Sequence, residues 1–263
     1  MSKRCGVRDF YGAHKKLRTT VCSTSNTALT ENDTVQNAQL PSDTESAITY
    51  LKSTFPLEKF NEKLPPVLLV HQIYSIVQCK TTVDKQIRAL QSKGTIRLFK
   101  LGGEETAFVI IYTEDLQKHI SKNCPQKHVV NIFVNDILPS VQDVIIEKSI
   151  LKNNFSLSDS CISELMNCGL LAARSITSFW FSFPNAGEFM KTYLRGRKSV
   201  IRTIRKCKFS EILQNELEQR KLEKQAKLGM KYHIHDIIGA ELVQCVETTS
   251  GTLLRLKKEV KNK

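Results

Sequence analysis

Twice in this chain an amphipathic segment ends on Leu-x-x-x-Gly and gives way at once to an alternating run. Leu90 to Gly94 precedes TIRLFKL, and Leu165 to Gly169 precedes LLAAR. A glycine four residues past the last inward leucine is where a helix closes in the left-handed conformation. Period-two alternation directly behind it is a strand. A chain punctuated in this way builds small helix-and-hairpin units rather than one large sheet or one long bundle.

The surrounding residues fill in the units. Ser42 and Asp43 are placed to cap a helix carrying Ile48, Leu51 and Phe55, stopped by Pro56. Pro65-Pro66 opens a second helix through Val67, Leu68, Val70, Ile73, Tyr74 and Val77. Thr81-Thr82 starts a third, with Val83, Ile87 and Leu90 on one line, and strands at Thr95–Leu101 and Ala107–Tyr112 flank a turn at Gly102-Gly103-Glu104-Glu105. Three helices followed by a hairpin is the order of a winged-helix domain. The order recurs as Val129–Leu138 (stopped by Pro139), Val141–Leu151, a helix DSCISELMNCG capped by Ser158 or Asp159, and strands at Leu170–Arg174 and Phe179–Phe183. A reduced third copy is read from a helix over Phe209–Leu222, a short mixed element over Lys231–Ile238, and a hairpin of Glu241–Glu247 and Thr252–Leu256. The expected fold is α+β and mostly helical, with three tandem winged-helix domains packed together. They are placed at residues 43–122, 126–207 and 208–258, behind a disordered basic and polar tail at 1–42.

The charge is strongly one-sided. Lys and Arg number 39 against 26 Asp and Glu, a formal net charge of +13. Such a balance points to an anionic partner, most commonly nucleic acid. Eight cysteines are present with no C-x-x-C pair, no apolar run opens the chain, and no window is apolar enough for a membrane span. A reducing, intracellular setting without membrane contact is expected. The tail carries a loose basic cluster, His14-Lys15-Lys16-Leu17-Arg18 with Arg8 upstream, which reads as a weak nuclear-import signal or a phosphate-binding arm.

Most of the informative charge lies in EFMKTYLRGRKSVIRTIRKCK, from Glu188 to Lys208. It holds Lys191, Arg195, Arg197, Lys198, Arg202, Arg205, Lys206 and Lys208 against one acid, Glu188. At helical spacing Lys191, Arg195, Lys198, Arg202 and Arg205 fall on one stripe, with Phe189, Tyr193, Val200 and Ile204 opposite. A merely solvated face interleaves acids with bases, as the expected helix from Glu211 to Lys227 does. An unrelieved row repels itself by a few tenths of a kcal/mol per pair and suits phosphate contact, which is mostly independent of base sequence. Gly196, inside the row, admits a close backbone approach to phosphate or marks a kink. In the first unit Lys85, Arg88 and Lys93 are candidate secondary DNA contacts, with Gln86 and Gln91 available for base edges. The equivalent helix of the second unit offers Asp159 and Glu164, which phosphate repels.

Enzyme chemistry is missing. There is no glycine-rich phosphate loop, no H-R-D, D-F-G or A-P-E triplet, and no P-loop. The spacings His119-x4-Cys124-x3-His128 and His233-x-His235 lack a zinc-like second half. No catalytic residue, metal or cofactor is expected. Trp180, within Phe179-Trp180-Phe181, is expected in the core rather than as a stacking platform.

The stretches LPPVLLVHQIYS, TTVDKQIRALQSKGTIRL, FMKTYLRGRKSVIRTIRKCKF, KYHIHDIIGAELV and TTSGTLLRL, in order between about Leu57 and Leu256, resemble the serine/threonine-protein kinase 19 family. Despite its name, the resemblance implies a nuclear protein of three winged-helix domains that binds double-stranded DNA and also RNA. It implies a role in transcription-coupled nucleotide excision repair, on stalled RNA polymerase II, with the Cockayne-syndrome ubiquitin-ligase receptor and TFIIH as partners. The family's basic patch maps onto Arg195, Arg197, Lys198, Arg202, Arg205 and Lys206. Two alternatives remain open at this point: a winged-helix module that binds proteins, and an atypical serine/threonine kinase.

Overall fold

Among the described residues, three short sheets each place their third strand between the first and second, and all pairs are antiparallel. The computed structural model describes residues 43–100, 107–124, 127–222 and 226–257, which fall in one compact unit. The tail at 1–42 with its His14–Arg18 cluster, and the turn at Gly102-Gly103, lie outside the described residues.

The first unit runs α1 (Thr44–Thr54), β1 (Leu68–Leu69), α2 (Val70–Ile73), α3 (Lys80–Ser92), β2 (Ile96–Lys100) and β3 (Phe108–Tyr112). Asp43 caps α1, its carboxylate accepting the Ser46 N–H at 2.7 Å. Phe55 ends the helix in an extended conformation, as the residue before Pro56 must. A further helix, α4 (Thr113–Asn123), follows the hairpin, burying Leu116, His119 and Ile120.

The second unit begins with α5 (Lys127–Ile132), which passes through a π-helical turn at Phe133–Ile137 into α6 (Leu138–Ser140). The helical backbone runs through Pro139 and ends at Ser140, two residues past the stop expected at Leu138. Then follow β4 (Ile145–Glu147), α7 (Lys148–Asn153), α8 (Asp159–Asn167, capped by Ser158), β5 (Leu171–Ala173) and β6 (Ser178–Phe181). The third unit is α9 (Ala186–Arg205), β7 (Glu211–Leu213), α10 (Gln214–Gln219), α11 (Met230–Gly239), β8 (Val243–Thr248) and β9 (Gly251–Leu256).

Three expectations change. The second helices read over Pro66–Val77 and Val141–Leu151 are each a short strand followed by a one- or two-turn helix, and so is the helix read over Phe209–Leu222. Strands of two or three residues are too short to show a period, and their apolar residues merge with the helix behind. The mixed element at Lys231–Ile238 is the regular helix α11. The long basic helix ends at Arg205 rather than reaching Lys208.

Both glycine closures form as the spacing requires. Gly94 (φ 74°) donates to the Gln91 carbonyl and Thr95 to that of Leu90. Gly169 (φ 74°) donates to Met166 and Leu170 to Leu165. These are the paired bonds of a Schellman closure. The third unit makes the same pair without a glycine: Glu241 (φ 56°) donates to Ile238, and Leu242 to Ile237. In all three the following strand begins two residues later, at Ile96, Leu171 and Val243.

The cores are linked by α9. Its first half puts Phe189 and Tyr193 into the apolar cluster shared by the first two units, and its second half puts Val200 and Ile204 into the core under β7, β8 and β9. Helix α11 crosses close to two neighbours, and glycines permit it. A Cβ on Gly196 would stand 1.9 Å from Nε2 of His233, and one on Gly239 would stand 1.8 Å from the His71 carbonyl oxygen. Gly196 thus serves helix packing, not phosphate approach or a kink. Because the obstacle at Gly239 is backbone, Gly239→Ala should lower stability by about 1–3 kcal/mol, seen as a lower midpoint in urea unfolding; an unchanged midpoint would contradict this packing.

Candidate nucleic-acid interface

Helix α9 sorts its basic residues by the 100° step. Phe189, Tyr193, Val200 and Ile204 are at most 1% exposed. Lys191, Arg195, Lys198, Arg202 and Arg205 are all exposed on the opposite face, a row about 21 Å long at 1.5 Å per residue. Lys206 and Lys208, just past the helix, are exposed too. Glu188, the one acid of the segment, pairs with Lys227 at 3.1 Å.

Arg197 does not belong to this surface. It is 9% exposed, and its guanidinium grips Asp236 of α11 with two bonds, Nε to Oδ2 at 2.9 Å and Nη2 to Oδ1 at 2.5 Å. The same carboxylate accepts the Tyr193 hydroxyl at 3.0 Å and lies 2.7 Å from Nε2 of His71 in α2. The guanidinium also stacks over the Tyr193 ring, 4.7 Å from its centre. Burial opposes ionisation of Asp236, but the Arg197 and His71 hydrogen bonds outweigh it and hold the carboxyl well below the usual carboxylate range. Arg197 therefore orients α9 rather than meeting a ligand. The spacing carried this signal: Arg197 lies four residues past Tyr193 and three before Val200, on the apolar line. Asp236, His71 and Tyr193 escaped notice as a group because they come from distant segments. The clue available was an acid between Ile234 and Ile237 on an apolar helix face, which demands a buried partner.

The secondary residues Lys85, Arg88 and Lys93 are exposed on and just after α3. The glutamines beside them are engaged. Gln86 accepts the Thr44 N–H at 3.3 Å, and Gln91 donates to the Gln142 carbonyl at 2.7 Å, tying the first unit to the second. Base-edge reading through either would break those bonds. In the second unit Asp159 pairs with Lys148 and Lys152, each at 2.8 Å, so its charge is already balanced, and Glu164 is half-buried. Trp180 is half-buried rather than sealed in the core, with the Lys100 ammonium and the Arg174 guanidinium each 4.9 Å from its ring centre.

His119 is buried on α4 against Asn123, while His235 meets Ser75 at 2.8 Å, and burial pushes its imidazole down to about 4. Among the described residues no three His, Cys, Asp or Glu side chains are grouped to hold a metal ion. No described helix is long and apolar enough to cross a membrane.

The family model described as inactive serine-threonine protein kinase 19 matches residues 38–256. The chain belongs to that family. It is 39% identical over 219 residues to a Homo sapiens protein named winged helix repair factor 1, covering 82% of this chain and 86% of that one. A Xenopus laevis protein of the same name is 36% identical over 245 residues, with 92% and 94% covered. One from Dictyostelium discoideum is 27% identical, with 80% and 63% covered. The family's description as inactive agrees with the missing kinase motifs, and the chain is not a kinase.

The division of labour along α9 has a measurable consequence. Arg197→Ala leaves a buried carboxylate without its main partner and should cost about 3–5 kcal/mol. Arg195→Ala, two residues away on the exposed face, should stay within about 0.5 kcal/mol of the parent. Urea unfolding of the two variants gives the comparison, and equal losses would contradict the assignment.

Proposed function

We propose that this protein is a non-enzymatic, nucleic-acid-binding scaffold that works in the nucleus in DNA repair. Its three repeated units are read as tandem winged-helix domains. The expected bounds are 43–122, 126–207 and 208–258, but the shared order makes α9 (Ala186–Arg205) the first helix of the third unit, so the boundary expected at 207/208 moves ahead of Ala186. Two features support the domain reading: the shared order helix, strand, helix, helix, strand, strand, and the relatives' name. The exposed row Lys191, Arg195, Lys198, Arg202 and Arg205 is the main DNA contact, extended by Lys206 and Lys208 and supplemented by Lys85, Arg88 and Lys93. Double-stranded DNA is the primary ligand and RNA a second one. In this reading the protein acts in transcription-coupled nucleotide excision repair. There it joins the complex on stalled RNA polymerase II, with the Cockayne-syndrome ubiquitin-ligase receptor and TFIIH as partners.

The observation that carries the DNA reading is the row itself: cations spaced along one rigid helix, with its inner face held by a buried ion pair. A row of this length can meet several backbone phosphates and contributes affinity through release of condensed counterions. Because the glutamines of α3 are engaged elsewhere, base-edge readout has little to work with, and binding is backbone-directed.

Duplex binding titrated across salt tests this. Five phosphate contacts give a slope of log affinity against log salt of about −4.5. Arg195→Glu/Lys198→Glu should weaken binding steeply and flatten the slope by about 2, with similar affinities for unrelated sequences. A variant that binds with unchanged affinity and slope would remove the row from the interface and favour a protein-binding role.

A further inference from the structure

Immediately past the cationic row the chain makes a turn, Lys208-Phe209-Ser210, whose geometry folding does not explain. Phe209 and Ser210 both have φ of 57°, in the left-handed region. Bulky side chains avoid that region, and it is usually given to glycine or asparagine. Phe209 is also 78% exposed, so its ring contributes almost nothing to the core beneath β7. Among the described residues the exposed large apolar side chains are Leu57, Met166, Ile176, Leu194 and Phe209, and of these Phe209 is the one aromatic. The left-handed backbone costs stability and the exposed ring returns none of it by burial, and such strain concentrates where a ligand is met.

The surroundings specify the ligand's chemistry. The Lys208 ammonium lies over the Phe209 ring, 5.2 Å from its centre. Lys206 and Arg205 are exposed just upstream. An exposed aromatic set among cations at the end of a row that can meet phosphates is the combination that single-stranded nucleic acid uses, with cations on the backbone and a π-face for a base. A protein-facing aromatic anchor would instead sit within an apolar patch that is depleted of charge.

From these observations we infer that Phe209 is a stacking platform for an unpaired base, so that the protein binds a duplex along α9 and engages an opened or distorted segment at its end. The inference rests on the nucleic-acid reading of α9 and adds to it a preference for DNA with unpaired bases. Lys208 swings from the ring to an adjacent phosphate, and the base takes the ring face.

The test uses the full chain and two labelled DNA probes. One is a dumbbell duplex closed by non-nucleotide linkers, with no free ends and no unpaired bases; the other is the same duplex carrying a bubble of unpaired thymines. The parent should bind the bubble more tightly than the dumbbell. Phe209→Ala and Phe209→Gly should weaken bubble binding about tenfold while dumbbell affinity stays within about twofold, and Phe209→Tyr should bind as the parent does. Phe209→Gly suits the left-handed turn, so it separates loss of the ring from a folding defect. Equal affinity of parent and Phe209→Ala for the bubble, or an equal loss on both probes, would overturn the platform. Unchanged dumbbell binding by Arg195→Glu/Lys198→Glu would instead overturn the DNA reading of α9, whatever Phe209 does.

Discussion

One buried carboxylate organises this molecule. Asp236 is fully sequestered on α11 and is satisfied by groups from elsewhere: a bidentate Arg197 and the Tyr193 hydroxyl from α9, and His71 from α2. An unpaired charge in that position would cost several kcal/mol, so α9, α11 and α2 are held in the single arrangement that brings these partners together. Neighbouring bonds reinforce it, with Gln72 donating to the Tyr232 carbonyl at 2.9 Å and the Tyr232 hydroxyl to the Val67 carbonyl at 3.0 Å. The ion pair also sets the rotation of α9 about its own axis. With Arg197 turned inward, the 100° step leaves Lys191, Arg195, Lys198, Arg202 and Arg205 nowhere but solvent.

Much of the architecture was legible in the chain, and the misses have physical causes. The Schellman closures at Gly94 and Gly169 announce themselves because left-handed φ favours glycine. The third, at Glu241, is hidden because a glutamate adopts that conformation there, so its helix read as a mixed element and its unit as a reduced copy. The first strand of every unit was absorbed into a helix because two or three residues carry no readable period. The exposed row of α9 followed directly from its spacing. Arg197 was grouped with it through the resemblance, although its position relative to Tyr193 and Val200 placed it on the apolar line. Contacts between distant segments, such as His71 to Asp236, are invisible to any local pattern.

The sharing of α9 between two cores explains why this helix, rather than a hairpin or α3, presents the charge. A helix whose inner face is buried at both ends keeps its outer residues in register, so a row of like charges can be maintained on it. The stability cost of that repulsion is small beside the burial of Phe189, Tyr193, Val200 and Ile204. Of the glutamines that in isolation suit base edges, Gln86 joins α1 to α3 and Gln91 joins the first unit to the second, which is why the proposed DNA contact is backbone-directed.

Helix α9 divides its arginines into an exposed set, proposed to face the ligand, and one structural residue, Arg197. Arginine side-chain NMR, following each Nε–Hε signal while a short duplex is added, tests it most directly. The account predicts that Arg195, Arg202 and Arg205 shift progressively while Arg197 stays fixed. Movement of Arg197 with the other three unchanged would contradict it.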